Sequence, residues 1–154
     1  MKTLSLMVIL STVLVGCSAP QKTNTPEPLT LTPPSKTAIG FVQLGKDVPY
    51  YVDSASVWVD EIQKHLINFD TVLNLKQGEA VFDNKKLFSH SIREHKTLDC
   101  QKQKLTHRDR HLYSEFWGKG HTVEAKDQNY SVNLKSGSTL GIVGQILCAN
   151  FYRQ

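Results

Sequence analysis

The sequence predicts an α+β fold: an antiparallel β-sheet of about six strands, packed with one C-terminal α-helix and tied by one disulfide. Three observations predict it. Residues 66–75 alternate apolar and polar with a period of two, residues 88–113 hold two long polar alternating runs, and a Ser-capped apolar segment closes the chain beside the last of three cysteines.

In chain order, the first segment is MKTLSLMVILSTVLVG, one Lys followed by an almost unbroken apolar run. The run is too short for the ~30 Å hydrocarbon core, which takes about 20 residues, and it has the make-up of a secretory signal. Leu14-Val15-Gly16-Cys17 resembles the bacterial lipobox. Residues 1–16 are therefore expected to be a lipoprotein signal peptide. Cys17 is then the lipidated first residue of the mature chain, with palmitate among its acyl chains and the lipid bilayer as its partner. Several chains on one cysteine anchor permanently where one alone binds only marginally. Ser18 after the cysteine, by the usual sorting pattern, suggests the outer membrane.

Ser18 to Ala38 holds five of the six prolines among Thr and Ser. Proline lacks the amide donor and fixes φ, so this stretch is expected outside any sheet or helix. With Cys17 it makes a Pro/Thr-rich linker over 17–38, reaching roughly 60 Å at about 3.1 Å per residue. Residues 39–154 are enough for one domain with a modest core.

Tyr50-Tyr51-Val52 and Val57-Trp58-Val59 are short β-rich runs, and Asp53-Ser54-Ala55-Ser56 between them reads as a turn or bulge. In Leu66 to Leu75, Ile67, Phe69, Thr71, Leu73 and Leu75 point one way, while Asn68, Asp70 and Asn74 point the other. Lys76-Gln77-Gly78 signals a turn, and Ala80-Val81-Phe82 another short strand. Phe88 to Cys100 and Gln103 to Tyr113 read as a hairpin with one solvated face. Ser138 caps a predicted helix over Thr139 to Ala149, with Leu140, Val143, Ile146 and Leu147 on one face. Gly141 and Gly144 each cost about 1 kcal/mol of helix propensity, so packing has to hold that helix.

Once Cys17 is lipidated, Cys100 and Cys148 remain, and in an exported protein two leftover cysteines most often pair. Closing a loop of ~49 residues adds about 4 kcal/mol in the chain-entropy treatment. The rival, a metal site shared with histidines, has no CxxC or HExxH spacing behind it.

Charge is gathered between Lys85 and His111. Eight Lys or Arg stand there against three Asp or Glu, with four of the six histidines, in a chain of formal net charge +4. Alternation places Arg93 and His95 on one strand face and Lys96 on the other with Ile92 and Glu94; Arg108, Arg110 and Leu112 share a face of the return strand. Lys85, Lys86, Arg93, His95, Lys96, Lys102, Lys104, Arg108 and Arg110 are thus candidates for a positive stripe that attracts acidic proteins and speeds their encounter. His107 and His111, four residues apart on a strand, stand about 13.6 Å apart and cannot share one metal ion. Gly118-Lys119-Gly120 lacks the spacing of a phosphate loop, Ser136-Gly137-Ser138 is not a nucleophile elbow, and no carboxylate pair is placed for acid–base work. The reading is a binding protein and not an enzyme. A membrane anchor puts the basic patch outside the cytoplasm, so nucleic acid is not the expected partner.

Five ordered stretches resemble the bacterial surface-adhesin protein E family. They are Tyr50 to Asp60 (YYVDSASVWVD), Asn68 to Leu75 (NFDTVLNL), Lys96 to Cys100, Glu115 to Gly120 (EFWGKG) and Gln145 to Asn150 (QILCAN). The resemblance covers nearly all of the chain after the linker. It implies a surface-exposed outer-membrane lipoprotein with an antiparallel sheet, a C-terminal helix and a disulfide. It also implies an adhesin that binds host matrix and serum proteins, vitronectin, laminin and plasminogen among them, and a homodimer. Haem binding follows from the same resemblance, with His90 or His95 as the candidate ligand; no other cofactor is expected. The family's basic pair falls near Lys85 and Lys86, but aligned without gaps from Cys100 its second position is Leu87. The alternative readings are an envelope lipoprotein of the same fold with a structural or accessory role facing the periplasm, and a protein that binds and stores haem.

Overall fold

The computed structural model describes residues 27–84, 86–126 and 129–152. The expected signal peptide, the lipidation residue Cys17 and the candidate Lys85 lie outside the described residues. In chain order the elements are β1 (Leu29–Thr30), β2 (Phe41–Gln43), β3 (Tyr50–Val59), β4 (Leu66–Asn74), β5 (Gln77–Gly78), β6 (Ser91–Asp99), β7 (Lys104–Glu115), β8 (Lys119–Glu124), β9 (Tyr130–Asn133) and α1 (Thr139–Phe151). A seven-stranded antiparallel sheet runs β2-β3-β4-β6-β7-β8, with β9 also on β7, and β1 and β5 form a separate two-stranded sheet.

The alternating run at residues 66–75 becomes the central strand. Ile67, Phe69 and Thr71 face the core as expected, but Asn68 and Asn74 are buried too, because the opposite face of the sheet is also partly covered. Asn68 Oδ1 meets its polar requirement by accepting from Thr97 Oγ1 at 2.8 Å. The two short runs of β3 are one strand with a register shift between Asp53 and Trp58. At that bulge Ser56 Oγ accepts the Asp70 N–H at 2.7 Å and donates to Asp53 O at 2.7 Å, replacing the ladder bonds the bulge removes.

Three expectations need correction. Residues 80–82 are not a strand; the pairing segment there is Gln77–Gly78. Gly78 is required, since a Cβ on it would stand 2.5 Å from Ser89 O. The stretch up to Ala38 does not stay clear of the sheets: Leu29 and Thr30 pair with Gly78 and Gln77, and Leu31 N donates to Lys76 O at 2.9 Å. Proline spares these three positions, so their amides are free to pair. Finally, Arg108 and Arg110 do not share a face. A bulge at Asp109, with φ 43°, sets Arg108 opposite His95 and Arg110 opposite Glu94.

The helix seats on Val52, Ile67, Phe69, Leu98 and Leu105 through Leu147. Ser138 caps it, its Oγ accepting the Gly141 N–H at 3.1 Å, a contact that contributes about 1 kcal/mol. Gly141 and Gly144 give up helix propensity for close approach. A Cβ on Gly144 would run into Leu134, and one on Gly141 into Lys135 O. Cys100 and Cys148 form the disulfide, Cα to Cα 5.7 Å, which ties the last turns of α1 to the end of β6. Among the described residues no helix is long and apolar enough to cross a membrane.

Candidate functional site

The sheet sorts the basic hairpin into groups with different physics. On the face away from the helix, Arg93 is enclosed by two carboxylates: its Nη2 donates to Asp53 Oδ2 at 2.5 Å and its Nε to Asp70 Oδ2 at 2.7 Å. His95 Nδ1 donates to Asp70 Oδ1 at 2.8 Å. Burial pushes the Asp70 carboxyl up, but the His95 and Arg93 bonds prevail and hold it below its ordinary value. Arg93 therefore spends its positive charge inside the protein, and His95 its Nδ1 proton. Asp53 and Asp70 are the partners that sequence reasoning missed; Asp70 lies in a β-run it had identified and Asp53 in the stretch read as a turn or bulge, and their cross-strand register was not readable.

The exposed cations lie further along. Lys104 and Arg108 stand on that same outer face, opposite Asp99 and His95, and both are exposed. Lys102 sits in the β6–β7 turn with its side chain 73% exposed, 3.6 Å from Asp99 Oδ2, a surface pair worth well under ~1 kcal/mol. Lys86 is exposed in the loop before β6, its N–H donating to Asn84 Oδ1 at 3.0 Å.

Lys96 is the correction. It is 0% exposed, so no macromolecular partner touches it. Position 96 follows the inward alternation of Glu94 and Leu98, and register places it opposite His107. The Lys96 ammonium donates to Glu94 Oε2 and to His107 Nδ1, the latter at 2.6 Å. With Lys96 protonated, Nδ1 is the bare nitrogen of that ring and the proton sits on Nε2. Burial, against the pull of Glu94, lowers the Lys96 pKa; burial and the Lys96 charge lower that of His107. The His107 ring stacks on Tyr130 of β9 at 4.2 Å. Around this group the helix face of the sheet is open, as a cavity of about 410 Å³ walled by Val48, Leu73, Ile92 and Tyr130, with Arg110 also on its lining. Burial pushes the Tyr50 hydroxyl there up to about 12, so it remains a neutral donor.

The EFWGKG stretch is a tight turn. Trp117 and Gly118 take left-handed backbone, with φ 67° and 66°. The Trp117 ring packs on Phe41 and Tyr51 at 5.0 and 4.6 Å. Ser91 Oγ accepts the Gly118 N–H at 2.9 Å and donates to Glu115 O at 2.6 Å.

The haem candidates do not converge. His90 and His95 are five residues apart on extended backbone, so alternation sends them to opposite sides of the sheet. Each ring already bonds through Nδ1, His90 to Phe88 O at 2.9 Å and His95 to Asp70. Among the described residues no group of three or more His, Cys, Asp or Glu is gathered to hold a metal ion.

Comparison with known proteins gives a consistent answer. Residues 41–149 match the family described as Surface-adhesin protein E. Two Haemophilus influenzae proteins named Surface-adhesin protein E, from strains NTHi 3655 and Rd, are each 35% identical over 140 residues, which is 90% of this chain and 88% of theirs. Among solved structures, Haemophilus influenzae protein E superposes with a TM-score of 0.75 at 36% identity, covering 80% of this chain and 95% of that one. A crystal structure of protein E from non-typeable Haemophilus influenzae gives the same TM-score of 0.75 and 36% identity, with 81% and 86% covered.

Proposed function

The chain belongs to the surface-adhesin protein E family, and we propose that it is a lipid-anchored outer-membrane adhesin that binds host matrix and serum proteins of the vitronectin, laminin and plasminogen class. The observation that carries the choice of surface is the sorting of the hairpin cations. Arg93, His95 and Lys96 are satisfied internally, whereas Lys104 and Arg108 share the outer face with Lys102 at its end. An acidic partner docks on this shorter stripe, steered by charge.

The test is the triple reversal Lys102→Glu, Lys104→Glu and Arg108→Glu in the full-length lipoprotein. Binding to immobilised vitronectin and laminin is expected to fall about tenfold or more, with circular dichroism unchanged. A folded variant that binds both as well as wild type overturns this choice of surface. Protease added to whole cells must also remove the domain; protection of the domain in intact cells overturns the surface location.

A further inference from the structure

Strand β8 ends the sheet beside the half of β7 that lies away from the proposed adhesive stripe. The His121 N–H donates to Ser114 Oγ at 2.9 Å and the Ala125 N–H to Arg110 O at 2.8 Å, so both point at β7. Backbone direction alternates along a strand, so the N–H and C=O groups of Thr122 and Glu124 point the other way, out of the edge of the sheet. Both residues are exposed, and among the described residues no strand pairs with them on that side. We infer that this edge docks an extended peptide segment, which adds to β8 as a further antiparallel strand.

Three features set the kind of partner. First, the edge is not blunted. Proline, bulges or a covering element usually protect such edges, but residues 122–124 hold no proline and pair regularly with β7. Second, a slot of about 350 Å³ lies between Val81, Phe82 and Leu87 on one wall and His121, Thr122 and Val123 on the other. Three successive strand residues line it, and successive side chains leave opposite faces, so the slot runs along the edge and not over one face. Added strands take affinity from main-chain bonds and specificity from such side-chain slots. The apolar wall therefore asks for apolar side chains at alternate positions. A second copy does not fit: antiparallel pairing of two β8 strands is two-fold symmetric and drives a second 81–87 segment into the first. Third, exposed Lys119 and Glu124 end the strand with opposite charges, which select an antiparallel segment with Lys at its start and Glu at its end.

The probe is the end-blocked peptide Lys-Val-Thr-Leu-Thr-Glu, titrated by calorimetry into the full-length chain in non-ionic detergent, with empty micelles as the blank. It is expected to bind one to one. N-methylation of both threonines removes the amides that face β8 and weakens binding about tenfold or more; N-methylation of Val and Leu, whose amides face away, leaves it unchanged. Thr122→Pro weakens binding by a similar factor and Thr122→Ala does not. Proline is tolerated there because the lost N–H serves no bond to β7. The triple reversal at Lys102, Lys104 and Arg108 leaves peptide binding unchanged, so this site and the stripe are read separately. No saturable binding, indifference to N-methylation of the threonines, or wild-type binding by a folded Thr122→Pro chain overturns the inference. Should Thr122→Pro not fold, by circular dichroism, the N-methylated peptides still decide. Self-association of the wild-type chain that Thr122→Pro abolishes also overturns it, and gives the edge to a second copy.

Discussion

Asn74 Oδ1 accepts the backbone N–H of Trp117 at 2.9 Å, joining residues 43 positions apart. Asn74 is 0% exposed, and among the described residues its Nδ2 has no hydrogen-bond partner, so this single bond offsets the burial of the amide. It holds in place a tryptophan whose left-handed backbone is itself unfavourable. Asn74→Ala is expected to lower stability by about 1–3 kcal/mol in urea unfolding and to shift tryptophan emission. An unchanged midpoint would mean that the turn holds itself.

Arg93 and Lys104 lie in one hairpin and are expected to behave oppositely. Arg93→Met leaves Asp53 and Asp70 without their shared cation and lowers stability by about 1–3 kcal/mol. Lys104→Glu, on the surface, changes stability by under about 0.5 kcal/mol and acts on partner binding instead. Thermal unfolding of the two variants side by side checks the division.

Acid is expected to act in two stages. The folded His107 pKa lies below its ordinary value, so the unfolded chain takes the proton more readily and stability falls as pH drops below about 6.5. Asp70 is held low, so its contribution is present above about pH 3.9 and is lost as pH falls through the folded value. His107→Gln should flatten the first stage in urea titrations between pH 7 and 5 and leave the second. A slope that survives the substitution assigns it to another group.

The Cys100–Cys148 bridge spans 48 residues. Replacing both cysteines with Ala is expected to cost about 2–5 kcal/mol, read from urea midpoints. A smaller loss would mean that the seat of α1 on Leu98 and Leu105 suffices without the tie.

The parts legible in the sequence were those whose pattern is local. The alternation of β4, the Ser138 cap and the two cysteines were read directly, and the shared face of Glu94 and Lys96 followed from their spacing of two. Their depth did not, because a lysine ordinarily marks solvent and the group that keeps it buried, His107, comes from another strand. β9 was missed because its alternation, Tyr130-Ser131-Val132-Asn133, runs for only four residues, all of them exposed. The bulge at Asp109, which separates Arg108 from Arg110, depends on one left-handed residue that is not glycine, and a single Asp inside a charged alternating run does not set it apart.

The pairing of Leu29 and Thr30 with Gly78 and Gln77 has a mechanical consequence. For a domain held by a lipid at Cys17, tension from a bound host surface enters the fold through this two-residue ladder and the Leu31–Lys76 bond beside it. Twelve residue steps separate Cys17 from Leu29, and at full extension they reach at most about 43 Å. Past that, the ladder is the first thing the load peels, and the twelve steps from Leu29 to Phe41 then pay out at most about 43 Å more before the seven-stranded sheet feels the pull. The segment ahead of Phe41 lengthens under strain while the seven-stranded sheet keeps its shape.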